Sequence, residues 1–147
     1  MSLSDWFDSG FIAEHRTSRQ EISELLALVD RDLHESETGT HSPEWKLAIA
    51  YNALLQAAKA ALAATGYRVP KSNRSHHYHT IRSLQFTVEA DRATILNLEA
   101  VQKKRNISEY ERAGTVSDRE AQDALELAKF VSERVQNWLR TEHPDLV

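Results

Sequence analysis

Leu47-Ala48-Ile49-Ala50-Tyr51-Asn52-Ala53-Leu54-Leu55-Gln56-Ala57-Ala58-Lys59-Ala60-Ala61-Leu62-Ala63-Ala64 is apolar on nearly every side of a helix. Only Asn52, Gln56 and Lys59 interrupt it, in one narrow polar stripe at three- and four-residue steps. A helix of this kind is stable in water only when other helices cover most of its circumference. It predicts the central helix of a bundle, and its polar interruptions argue against a membrane span. Its start is marked by Ser42-Pro43-Glu44: a capping hydroxyl, Pro at the first helical position and an early carboxylate. Its end is marked by Thr65-Gly66, where Gly takes the left-handed cap.

Working outward, Ile22, Leu25, Leu26, Val29 and Leu33 recur at helical spacing and predict a helix from Ser18 to Leu33. Trp6, Phe7, Phe11 and Ile12 form a short amphipathic lead-in before it. Tyr67–Arg74 reads as a basic connection, His76–Val88 as a short helix, and Asp91–Arg105 as a helix with Ile95, Leu98 and Val101 inward. Ser117-Asp118-Arg119-Glu120 has the form of a capping box. The helix behind it aligns Ala121, Ala124, Leu125, Ala128, Val131, Val135, Trp138 and Leu139 on one seam out to Arg140. No strand-like alternation or internal repeat is visible. The fold class expected is all-α: an antiparallel bundle of four main helices plus a short extra helix.

The 147 residues fit a single domain, residues 1–147, long enough to bury a core without staples. Cysteine is absent, which removes disulfides and thiolate metal sites and fits a reducing cytoplasm. The first residues lack the basic start and apolar run of a signal peptide. A net charge of −4 argues against tight, sequence-blind attraction to nucleic acid and leaves room for a local basic patch. No Gly-rich phosphate loop, nucleophile elbow or HExxH pattern is present. Chemistry therefore has to come from Arg, His, Tyr and carboxylates.

Two polar clusters stand out. Lys103-Lys104-Arg105-Asn106 is followed by Tyr110-Glu111. On an ideal helix Arg105 and Tyr110 are separated by roughly 140°, so they converge only if the chain bends near Asn106. The bland reading is a helix C-terminus whose cations meet the negative end of the dipole. The second cluster is Ser75-His76-His77-Tyr78-His79, in which His76 and His79 share a helical face. With no Cys and no carboxylate at ligand spacing, no metal site is assigned. The imidazoles are read as hydrogen-bond donors, proton carriers or anion contacts, against solvent-facing side chains at a helix entry. Trp45 and Tyr51 read as core aromatics. Asn52 either reaches the Arg105 segment or faces water with Gln56 and Lys59, and His15, His34, His41 and His143 receive no role.

These blocks resemble the HEPN (higher eukaryotes and prokaryotes nucleotide-binding) superfamily, from Ser18 to Leu139. Ala50–Ala58 is similar to that family's second-helix pattern, and Ala63-Ala64-Thr65-Gly66-Tyr67-Arg68 to its small-Gly-aromatic-basic exit. His76-His77 is similar to a subgroup with paired His, and Arg105-Asn106 with Tyr110-Glu111 to the family motif. The resemblance implies a HEPN-like bundle that homodimerises, with Arg segments from both chains across a shared groove. It implies RNA or a nucleotide as ligand, metal-independent endoribonuclease activity without a cofactor, and a toxin–antitoxin or defence setting with a nucleotidyltransferase-type antitoxin. Carried onto this chain, Arg105, His76, His77 and Tyr110 would be catalytic, and Asn106, His79, Lys104 and Asn52 would bind the ligand. The departure is Tyr110, which stands where the family usually has His. A phenol of reference pKa ~10 is a poor general base near neutrality, so proton transfer requires an imidazole of the 76–79 cluster in the same groove. The alternative is a non-catalytic dimeric interaction module, with Arg105–Glu109 a local ion pair and Tyr110 an interface anchor.

Overall fold

The computed structural model of the chain describes residues 1–73, 75–110 and 114–147, with 107–110 described by backbone alone. In chain order the elements are α1 (Leu3–Asp8), β1 (Ala13–Glu14), α2 (Arg19–Thr38), α3 (Pro43–Ala64), β2 (Tyr67–Arg68), α4 (His76–Arg82), α5 (Leu84–Thr87), α6 (Arg92–Tyr110) and α7 (Asp118–Glu142). A 3-10 turn, Pro144–Leu146, follows. The fold is an all-α bundle built on four long helices, α2, α3, α6 and α7, as the apolar periodicity predicts.

The stretch Leu47–Ala64 is the bundle's centre. Ala50, Ala53, Leu54, Ala57, Ala58, Ala60 and Ala61 are buried on all faces of α3. Small side chains let the neighbouring backbones come close, so α2 and α7 pack along the length of α3. By length and hydropathy α3 alone would suit a membrane crossing, yet 67% of its most apolar window is buried against other helices. The caps read from sequence are in place. Ser42 accepts from the Trp45 amide, with Pro43 at the first helical position. Ser117 and Glu120 form a full capping box that starts α7, and the seam residues Ala121, Ala124, Leu125, Ala128, Val131, Val135 and Leu139 are all buried.

Five local expectations are corrected. First, α2 runs on to Thr38 rather than stopping at Leu33, because its polar last turn is anchored. Buried Ser36 donates its hydroxyl to the Lys46 carbonyl at 3.0 Å across the α2–α3 connection. Second, the single helix expected over His76–Val88 is two, broken at Ser83. That buried hydroxyl turns back to the Thr80 carbonyl at 2.6 Å, a side-chain bond that competes with continuation of the helix. Third, α6 does not end at Arg105: it passes through Asn106 without a break and continues to Tyr110. No Gly or Pro lies between Arg92 and Gly114 to stop it, and Gly114, at φ +92°, takes the left-handed turn. Fourth, Trp45 is 59% exposed rather than core, since the first turn of α3 lies beyond its neighbours' coverage. Fifth, Asn52 faces neither water nor Arg105: its amide donates to Asp32 Oδ2 of α2 at 2.6 Å. Asp32 is only 6% exposed and takes a second donor from Arg31 Nε at 3.0 Å, so the pair is a polar staple between helices.

The chain's first segment is tied down by a feature the sequence pattern does not announce. β1 pairs antiparallel with β2, Ala13 opposite Arg68 and Glu14 opposite Tyr67. This short ladder holds Trp6, Ile12 and Leu62 in a second apolar cluster with Phe11, Tyr67 and Phe86 around it.

Candidate functional site

The end of α6 and the start of α4 meet over α3 at Tyr51. Tyr51 is 1% exposed, and two polar side chains close over it. The Arg105 guanidinium carbon stands 5.2 Å from the centre of its ring, within cation–π range. The His77 ring lies 6.0 Å from the same ring, tilted by 54°. His76 packs edge-on to His77 at 4.2 Å between ring centres. A guanidinium and an imidazole thus meet over one ring, with a second imidazole packed beside the first. Arg105 reaches Tyr51 from an unbroken helix because α6 packs against α3.

Electrostatics fixes the state of His77. Burial pushes its pKa down to about 4, with the neighbouring His76 and the cations of Arg105 and Lys59 adding to the effect. At neutral pH the ring is uncharged and keeps a lone pair for a proton. An uncharged imidazole beside a guanidinium can hold an anion and accept a proton from a group bound to it. An anion docked on Arg105 would offset the cations that depress His77 and move its pKa back toward neutrality.

The other residues singled out in the sequence are dispersed. His79 turns away from His76, stacking on Phe11 at 4.5 Å between ring centres and meeting Trp6 edge-on at 5.1 Å. Its Nδ1 lies 3.1 Å from the Asn73 amide, and burial lowers its pKa. The expected shared face of His76 and His79 is therefore not used: the N-terminal segment captures His79 as a wall of the second apolar cluster. Lys104, one position before Arg105, points to α7 and pairs with Glu120 at 3.1 Å. Asn106 is exposed, and its carbonyl oxygen lies a long 3.5 Å from Arg105 Nη1. Asn52 belongs to the α2 staple. The side chains of Tyr110 and Glu109, and with them the Arg105–Glu109 pair, lie outside the described residues, as does Glu111. Among the described residues no group of three or more His, Asp or Glu side chains could hold a metal ion.

Sequence reasoning missed the part played by Tyr51 and Lys59. Tyr51 reads as an ordinary core aromatic, but its ring is the floor on which Arg105 and His77 rest. Lys59 reads as part of a solvent stripe and is exposed, but its charge also bears on His77. The available signal was its isolation, as the lone cation on an otherwise apolar stretch from Leu47 to Ala64. No family model matches the chain, and no curated protein or solved structure shows significant similarity to it.

Proposed function

We propose that the protein is a HEPN-type RNA-binding protein and a metal-independent endoribonuclease, working as a homodimer in the cytoplasm. We place it in a toxin–antitoxin or defence system, with a nucleotidyltransferase-type antitoxin as partner. The observation that supports this reading is the meeting of Arg105 and an uncharged His77 over Tyr51. In the proposed reaction Arg105 holds the scissile phosphodiester and offsets charge gained in the transition state. His77 takes the proton of the adjacent 2′-hydroxyl as that oxygen bonds to phosphorus. The bond from phosphorus to the 5′-oxygen breaks, and that oxygen receives a proton from the neighbouring imidazole of His76. The products are a 2′,3′-cyclic phosphate and a 5′-hydroxyl end, and no metal or cofactor takes part. The departure at Tyr110 is met by moving proton transfer to the α4 imidazoles.

The test is cleavage of mixed RNA by the purified protein in excess chelator, with the new ends identified chemically. Cyclic phosphate ends that disappear in Arg105→Ala and His77→Ala, each folded by circular dichroism, are the expected result. Absence of cleavage, or cleavage indifferent to both substitutions, rejects the reading.

A separate observation favours a second reading, a non-catalytic dimeric interaction module. The described parts of α6 and α7 leave an open groove of about 540 Å3, floored by Leu47, Val101, Ala124 and Leu127. On the same two helices Leu96 and Phe130 are 51% and 52% exposed. This reading predicts self-association that Phe130→Ala weakens, measured by sedimentation, with no RNA cleavage.

A further inference from the structure

A second cavity lies on the far side of His76, between α2, α3, β2 and the start of α4. Its volume is about 260 Å3. Three cationic side chains from three different segments border it: Lys59 of α3, Arg68 of β2 and Lys71 of the following connection. One carboxylate, Glu21 of α2, faces them, a formal excess of two positive charges in a chain whose net charge is −4. Among the described residues none of the three cations has an ion-pair partner. The carboxylate is already committed. Glu21 Oε1 accepts from the Thr17 hydroxyl at 2.6 Å and meets His15 Nε2 at 2.7 Å; these bonds, with the charges of His15 and Lys59, lower its pKa against the opposing effect of burial. Leu25, Leu62 and Val69 give the cavity an apolar side, and His76 closes it toward the Arg105 hollow.

Cations in excess over carboxylates around a concave, partly apolar space are a site for an anion. The charge excess matches a dianion, and the volume is below the ~300–1,000 Å3 of pockets that hold drug-sized ligands. We infer that this cavity binds a phosphate monoester dianion, as free phosphate or as the phosphoryl end of a small metabolite, through Lys59, Arg68 and Lys71. It is distinct from the Arg105 hollow, which would take a phosphodiester, and it does not depend on RNA cleavage. Lys59 and His76 stand between the two sites, so a dianion here would alter the field at His77.

The test is isothermal titration calorimetry at pH 7.5, where a monoester of second pKa ~6 is a dianion. The ligands are inorganic phosphate, glycerol 3-phosphate and dimethyl phosphate. Binding of either of the first two supports the inference and tells which source the cavity accepts. Dimethyl phosphate, a monoanion, should bind about tenfold more weakly or worse, as expected for loss of one charge-assisted contact. Arg68→Ala and Lys71→Ala should each weaken the dianion about tenfold on the same scale, and Glu21→Gln should strengthen it. Both cations are exposed, so the variants should fold. Arg105→Ala should weaken the dianion less than Arg68→Ala or Lys71→Ala does, which separates this site from the RNA reading. No binding of either dianion, equal binding of the diester, or indifference to both cation substitutions would overturn the inference.

Discussion

α3 and α6 lie in the same bundle and meet their neighbours in opposite ways. α3 is enclosed: α2 and α7 pack along it, and its core alanines and leucines are buried. The described part of α6 rests on the bundle through two buried anchors, Ile95 and Leu98, and leaves Leu96, Asn97, Ala100 and Lys103 open to solvent. Yet α6 delivers the guanidinium of the candidate site, and α3 supplies only the floor. The tightly packed helix fixes position, while the lightly held one brings charge to that position at little cost to the core. Arg105 sits where burial is partial, whereas the buried carboxylate of Asp32 is held by two donors, Asn52 and Arg31.

If that contrast is right, substitutions on the two helices should differ in size as well as kind. Leu54→Ala, at a fully buried point of α3, should lose about 2–5 kcal/mol, the sum of lost transfer energy and a residual cavity. Chemical denaturation measures it, and a loss below 1 kcal/mol would show α3 to be loosely packed. Asn52→Ala should come next, at about 1–3 kcal/mol, because it removes a donor from the buried Asp32 carboxylate. A neutral result there would mean that Asn52 is not a staple of the core.

The pH response sharpens the contrast at the polar end. His77 has a folded pKa near 4, below its ordinary value of 6.5, so between these values the unfolded chain binds more protons than the folded one. Its contribution to stability is complete above pH 6.5 and is lost as pH falls toward 4. Wild type should therefore lose stability over that window more steeply than His77→Gln, followed by thermal melts at fixed ionic strength. Equal slopes would place the ring in water. The smallest effect belongs to Asn106→Ala on exposed α6, expected within ~0.5 kcal/mol of wild type by the same denaturation assay. A larger loss would indicate that α6 has a break or a partner at that residue.

The core was readable from residues because burial leaves a periodic trace. The apolar face of α3, the Ser42-Pro43-Glu44 start and the capping box at Ser117 are local patterns with local causes, and each holds in the structure. The candidate site was readable only in part. Arg105, His76 and His77 could be singled out by type, and they do gather. They gather because α4 and α6 both pack against α3, and no local pattern encodes that packing. His79 differs from His77 only in what lies opposite it, and that is the N-terminal segment held by the two-residue ladder of β1 and β2. Asn52 was drawn into the expected site as a polar side chain on an apolar helix, and Lys104 as the neighbour of Arg105. Each is bonded elsewhere, to Asp32 and to Glu120, by partners far along the chain.

The central claim is that the Arg105 guanidinium and the His77 imidazole share one hollow over Tyr51. Titration of the His77 ring by NMR, in wild type and Arg105→Ala, tests it most directly. The account predicts a ring that titrates near pH 4 in wild type, at higher pH once Arg105 is removed, and at higher pH again when an uncleavable 2′-O-methyl RNA occupies the site. A ring that titrates near its ordinary 6.5 in every case, unmoved by the substitution or the RNA, would contradict it.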